Sequence, residues 1–201
     1  MKKHLLLQGN IQIGKSTLIK NAISPYIQNV GGFFVQRIFV GQRHMGFSIN
    51  PLKEIYDVNR VVEDIEKIEH MFLSKTSEGK LKIDKEVFKD NVFYALKKGT
   101  KGKKLIVLDE IGGVELNWPD FMKVLFDVVD GDIPILGVLK APKSMNNMNT
   151  RIENSAEKVK EMHPSYKRIE EHSDIKILNI DKENYMQVKN QVEEFVRAIM
   201  K

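Results

Sequence analysis

Residues 9–16 read Gly9-Asn10-Ile11-Gln12-Ile13-Gly14-Lys15-Ser16 and fall between a short apolar run and the start of a helical pattern. A glycine, four residues and then Gly-Lys-Ser in that setting constrains the chain more than any other feature it has. The glycines let the backbone curl so that successive N–H groups and a helix N-terminus point at oxygen anions, which is how a phosphate chain is cradled. Lys15 is expected to reach the β and γ phosphates, and the Ser16 hydroxyl to join the shell of a Mg2+ ion. The expected phosphate-binding set is Gly9, Asn10, Ile11, Gln12, Ile13, Gly14, Lys15, Ser16 and Thr17. An ordinary glycine-rich turn is the competing reading, and the placement between strand and helix argues against it.

A second pattern points to the same chemistry. Leu105, Ile106, Val107 and Leu108 form an apolar strand that ends in Asp109 and Glu110, and a strand's C-terminal edge is where α/β sheets bind ligands. Strand alternation is expected to send the two acids different ways. Asp109 would then hold Mg2+, and Glu110 would orient or deprotonate an attacking water. The alternative is that one or both acids cap the following turn. Glu115 reads either as a further acid near the metal or as a residue facing water. Arg37 and Arg43 lie in or beside a hairpin-like segment, where a guanidinium can stabilise charge on a transferring phosphoryl group. Arg43 is taken with Lys15 and Glu110 as a catalytic candidate, against the plainer reading of a solvated arginine. Lys140, after another apolar strand, is a candidate γ-phosphate sensor.

Around these motifs, strand and helix patterns alternate. Residues 33–40 and 45–49 are β-rich and separated by Gly41, Gln42, Arg43 and His44, which predicts an antiparallel reversal. Apolar spacing at Val62, Ile65, Ile68 and Met71 or Phe72 predicts an amphipathic helix over 59–73, and Val87, Phe88, Val92, Ala95 and Leu96 predict a second one ending near Gly99. Pro119 opens a third, residues 133–139 form a strand, 140–173 reads as a loop holding a short helix, 175–180 is the last strand and 185–200 a closing helix. The expected fold is α/β, a mostly parallel central sheet with helices on both faces and a hairpin-like antiparallel addition, in one domain over residues 1–201.

Composition excludes several alternatives. The chain has 201 residues, 42% hydrophobic and 29% charged, a profile far from that of disordered chains. It has no cysteine, so neither a disulfide framework nor a thiolate metal site can form, and a cytoplasmic setting is expected. Nowhere do about 18 apolar residues run together, so no membrane partner is expected. The net charge is +5, but the lysines are scattered rather than gathered in a block, which disfavours a nucleic-acid partner. The five histidines show no metal-ligand spacing.

Taken together, the loop followed by Leu18, the run from Gly32 and Phe33 to Gly46 and Phe47, and the block Asp109-Glu110-Ile111-Gly112-Gly113-Val114-Glu115-Leu116 followed by Phe121 resemble the broad-specificity P-loop nucleoside-triphosphatases. That resemblance implies a RecA-like core, dependence on Mg2+, and slow hydrolysis of several nucleoside triphosphates. The chain departs from the family where Gln12 stands in place of an inner glycine. If that position needs a positive φ, Gln12 adds strain of about 1 kcal/mol or more. Two other readings stay open on the residues alone. One is a nucleotide or small-molecule kinase with its acceptor in the 33–49 region; the other is a nucleotide-gated binding module in which 140–173 meets a partner.

Overall fold

The computed structural model describes residues 2–64, 68–154 and 163–201. The apolar run at the start is strand β1, His4–Gly9, and the loop after it feeds helix α1, Lys15–Ile23. Strands β2, Val30–Val40, and β3, Arg43–Pro51, form the expected antiparallel hairpin. Short strands β4, Asn59–Val62, β5, Met71–Lys75, and β6, Leu81–Ile83, precede helix α2, Lys85–Lys97. Strand β7, Leu105–Ile111, helix α3, Pro119–Val129, and strand β8, Ile135–Leu139, follow. Helices α4, Pro142–Asn149, and α5, Pro164–Glu170, lead to strand β9, Ile175–Ile180, and helix α6, Tyr185–Met200.

Eight strands lie in the order β6-β5-β3-β2-β7-β8-β1-β9, and β4 adds to β2 off this path. From β2 to β9 neighbours run parallel, whereas β3, β5 and β6 extend the sheet antiparallel. Period-2 alternation then divides the apolar side chains between two faces. Leu6, Ile106 and Leu108 pack with α2, α3 and α5 on one side, while Leu5, Leu7, Leu105 and Val107 pack with α1 and α6 on the other. Each fully buried aliphatic side chain contributes about 1.5–3 kcal/mol, so both faces are needed to offset the ordering of the chain.

The local signals account for the helix starts. Asp84 Oδ1 accepts the Val87 N–H at 3.0 Å and caps α2, with Glu86 in the first turn and Lys97 in the last. Proline opens α3, α4 and α5, where its missing N–H costs nothing.

Two expectations are corrected. The helix read over 59–73 is replaced at both ends by strand, β4 and β5, and its centre, 65–67, lies outside the described residues. Tertiary pairing overrides the local period there: β4 runs parallel to β2 from Arg37↔Asn59 to Val40↔Val62, and β5 pairs with β3. β6, just before α2, pairs with β5 in turn and extends the same antiparallel edge. Within 140–173, the expected loop with one short helix holds two helices, α4 and α5, while 155–162 lie outside the described residues.

The geometry that matters for function follows from β2. Its first half pairs with β7 as far as Phe33↔Leu108, and its second half pairs with β4 from Arg37 onward. Between those stretches the hairpin overhangs the C-terminal end of β7. That overhang roofs the edge where the loop after β1, the acids of β7 and the end of β8 meet.

Candidate active site

The phosphate loop has the backbone its sequence calls for. Gly14 is the N-cap of α1 with φ +94°, a conformation that L side chains resist, and Gln12 has φ +65° despite its side chain. Lys15 Nζ donates to the carbonyls of Gly9 and Asn10, each at 2.8 Å. It is thus folded back across the loop, where phosphate oxygens would replace those carbonyls. Burial lowers the Lys15 pKa, and the charges of Glu110 and Asp109 oppose that shift. The loop opens into a cavity of about 220 Å³ that Lys15, Ser16, Arg37, Asp109 and Glu110 all line.

The expected alternation at the two acids fails in an informative way. Leu108 pairs with Gly137 and Ile111 with Leu139, so three steps along β7 match two along β8, and Asp109-Glu110 sits at a bulge. Glu110 takes φ +68° there. The extra residue returns Ile111 to the same apolar face as Leu108 and leaves both carboxylates lining one cavity. The strand also runs one residue past the acids, to Ile111. A non-glycine residue in this region costs on the order of 1–2 kcal/mol, and such strain recurs at functional sites.

Asp109 is fully buried, with Oδ1 accepting the Ser16 hydroxyl at 2.8 Å and Oδ2 lacking a hydrogen-bond partner among the described residues. Burial raises its pKa to about 7; the Ser16 hydrogen bond opposes this and the Glu110 charge adds to it. A hydroxyl and a carboxylate with a buried unpartnered oxygen are hard oxygen donors, the kind Mg2+ takes from a protein while substrate phosphates and water supply the rest. The residues fit that ion. Glu110 is about one third exposed, its Oε2 4.0 Å from Lys140 Nζ.

Glu115 is buried and does not face water. Its Oε1 accepts the N–H groups of Gly112 and Gly113, each at 2.7 Å, which fixes the turn directly after the bulge. Burial raises the Glu115 pKa, and Lys140 counters it. Lys140 is held in turn: its N–H donates to Ile111 at 2.8 Å and its carbonyl accepts the Tyr166 hydroxyl at 2.9 Å. Of the two arginines, Arg37 lines the cavity. Arg43 is exposed at the start of β3 and does not. The sequence reading also missed Phe47, Val58 and Asn59, which close the cavity from the hairpin and from the approach to β4. Gly46-Phe47 was visible as a motif, but only the overhang of β2 brings it here.

Fold and site together define an α/β protein with a phosphate-gripping loop facing a carboxylate pair. The family profile described as NTPase matches residues 4–193, and the chain belongs to that family, an enzyme of the nucleoside-triphosphatase class. Among its relatives, the nucleoside-triphosphatase THEP1 of Methanocaldococcus jannaschii is 29% identical over 143 residues, covering 67% of this chain and 76% of that protein. That of Thermotoga maritima is 23% identical over 194 residues, covering 94% and 92%. The solution structure of a human cancer-related nucleoside triphosphatase superposes with a TM-score of 0.67 at 20% identity over 98% of each chain. The crystal structure of THEP1 from Aquifex aeolicus superposes with a TM-score of 0.64 at 18% identity, over 94% of this chain and 96% of that one. Both show the shared fold.

Proposed function

We propose that this protein hydrolyses nucleoside 5'-triphosphates, ATP and GTP among them, to the diphosphate and phosphate in a Mg2+-dependent reaction. The observation that carries the reading is the bulge at Asp109-Glu110, which turns Glu110 into the phosphate cavity beside a buried Asp109 hydrogen-bonded to Ser16. Lys15 exchanges the Gly9 and Asn10 carbonyls for β and γ phosphate oxygens, and the loop N–H groups hold the remainder. Ser16 and Asp109 would hold Mg2+, which neutralises charge on the β and γ oxygens when bound. Glu110 orients a water and accepts its proton as the water oxygen bonds to the γ phosphorus and the bond to the bridging oxygen breaks. We assign the guanidinium that faces the developing charge to Arg37 and not to Arg43, because Arg37 lines the cavity.

Several bases are accepted on this reading, since no Asn-Lys-x-Asp sequence for guanine occurs in the chain. Phosphate release from ATP, GTP, CTP and UTP, with and without Mg2+, tests the proposal against a Lys15→Ala variant. Metal-dependent release from several nucleotides that disappears in the variant is expected. Triphosphate binding with no release in the unmodified protein would refute hydrolysis.

A further inference from the structure

A second cavity, of about 340 Å³, opens on the far side of Glu110 and shares Val35, Arg37 and Phe47 with the phosphate cavity. Glu110 and Ile11 line both as well, so the two cavities are neighbours that border the same carboxylate. Its walls come from the β2–β3 hairpin, β5, β6, α2 and α4. Phe72 and Phe88 meet there edge to face, ring centroids 5.3 Å apart, beside Leu73 and Leu81. Its polar lining includes Glu110 and Lys140, whose charged atoms are 4.0 Å apart, and Arg151, which does not line the phosphate cavity. Among the described residues, neither Arg37 nor Arg151 has an ion-pair or hydrogen-bond partner for its guanidinium. One water occupies about 30 Å³, so hydrolysis alone does not call for a chamber of this size. Apolar walls with a few convergent polar groups are the makeup of a small-molecule site.

We propose that this chamber is the acceptor site of a phosphoryl transfer, taking a small planar aromatic molecule that carries a hydroxyl and an anionic group. The inference rests on the triphosphate grip and on Glu110 as base. The ring lies among Phe47, Phe72 and Phe88, the anion meets Arg151, and the hydroxyl faces Glu110. The hydroxyl oxygen bonds to the γ phosphorus as the bond from that phosphorus to the β–γ bridging oxygen breaks. The electron pair leaves with the nucleoside diphosphate, the hydroxyl proton goes to Glu110, and the product is a phosphomonoester. The acceptor takes the place of water in the same in-line displacement.

The test uses the full chain with γ-labelled ATP and Mg2+, and separates labelled phosphate from labelled ester. The probe acceptors are 4-hydroxybenzoate, 4-(hydroxymethyl)benzoate and 3-hydroxyphenylacetate. Binding is followed with 1-anilinonaphthalene-8-sulfonate, an aromatic anion that brightens in apolar sites. The dye is expected to bind one site, the hydroxy acids to displace it, and labelled ester to appear with at least one of them. Two variants away from the phosphate loop, Ser144→Trp on α4 and Arg151→Glu, should each weaken dye binding about tenfold or more and suppress the ester, with release to water kept within about twofold. Absence of dye binding, dye binding unchanged in both variants, or displacement without ester from any acid would each overturn the acceptor role while hydrolysis stands. Absence of both phosphate and ester from the unmodified protein would overturn the hydrolytic reading and this one with it.

Discussion

Two side-chain-bearing residues of the site, Gln12 and Glu110, sit in the left-handed backbone region at φ +65° and +68°. Each stores on the order of 1–2 kcal/mol, but the reasons differ. At Gln12 the loop needs the conformation and the side chain is incidental, so Gln12→Gly should stabilise the protein by up to about 1 kcal/mol, net of the extra entropy glycine brings to the unfolded chain. A higher denaturant midpoint at constant m checks this; an unchanged midpoint would mean the loop relaxes around Gln12 at no cost. That position was legible in the sequence as the place where family members carry glycine. The Glu110 conformation was not, because it arises from the mismatch between β7 and β8, which exists only once the strands are paired. The same mismatch is why alternation, which assigned the two acids to opposite faces, fails here. The choice of Arg37 over Arg43 likewise depends on which part of the hairpin overhangs β7.

At the scale of elements, the parts that carry their own punctuation were readable. The loop between β1 and α1, the strands β7 and β8, and the helices α2, α3 and α6 each have a cap, a proline or a clean apolar period. What was not readable is β4, β5 and β6, three to five residues each, whose stability lies in partner strands. The α2 cap offers a clean measurement. Asp84→Ala removes the acceptor of the Val87 N–H and should cost about 0.5–2 kcal/mol, read by denaturant titration. Asp84→Asn, which keeps an acceptor, should recover most of it. Equal losses in both would show that charge at the helix N-terminus, and not the hydrogen bond, stabilises α2.

Across the whole molecule, His4 ties the first strand to the start of β8, its neighbour in the sheet, and to the end of α3. Ile135 N–H donates to Nδ1 at 3.0 Å, so Nε2 must carry the hydrogen it donates to Val129 at 2.8 Å, and the buried ring is neutral. Burial lowers its pKa below the ordinary 6.5. The unfolded chain therefore takes up a proton before the folded one as pH falls, and the contribution of His4 is complete above about 6.5 and declines below it. In His4→Gln, which retains a donor for Val129, stability should fall less steeply between pH 7 and 5 than in the unmodified protein; parallel curves would remove His4 from this role. His44, also lowered chiefly by burial, leaves a residual slope of the same sign.

The sheet that His4 helps hold together brings the loop, the acids of β7 and Lys140 to one edge, where Glu110 is proposed to activate water. The direct test is Glu110→Gln, with triphosphate affinity and phosphate release measured separately. Release lowered by about 10²–10⁴-fold with affinity kept within a few-fold is the predicted result. Release near the unmodified rate would contradict the account, because the base would then lie elsewhere.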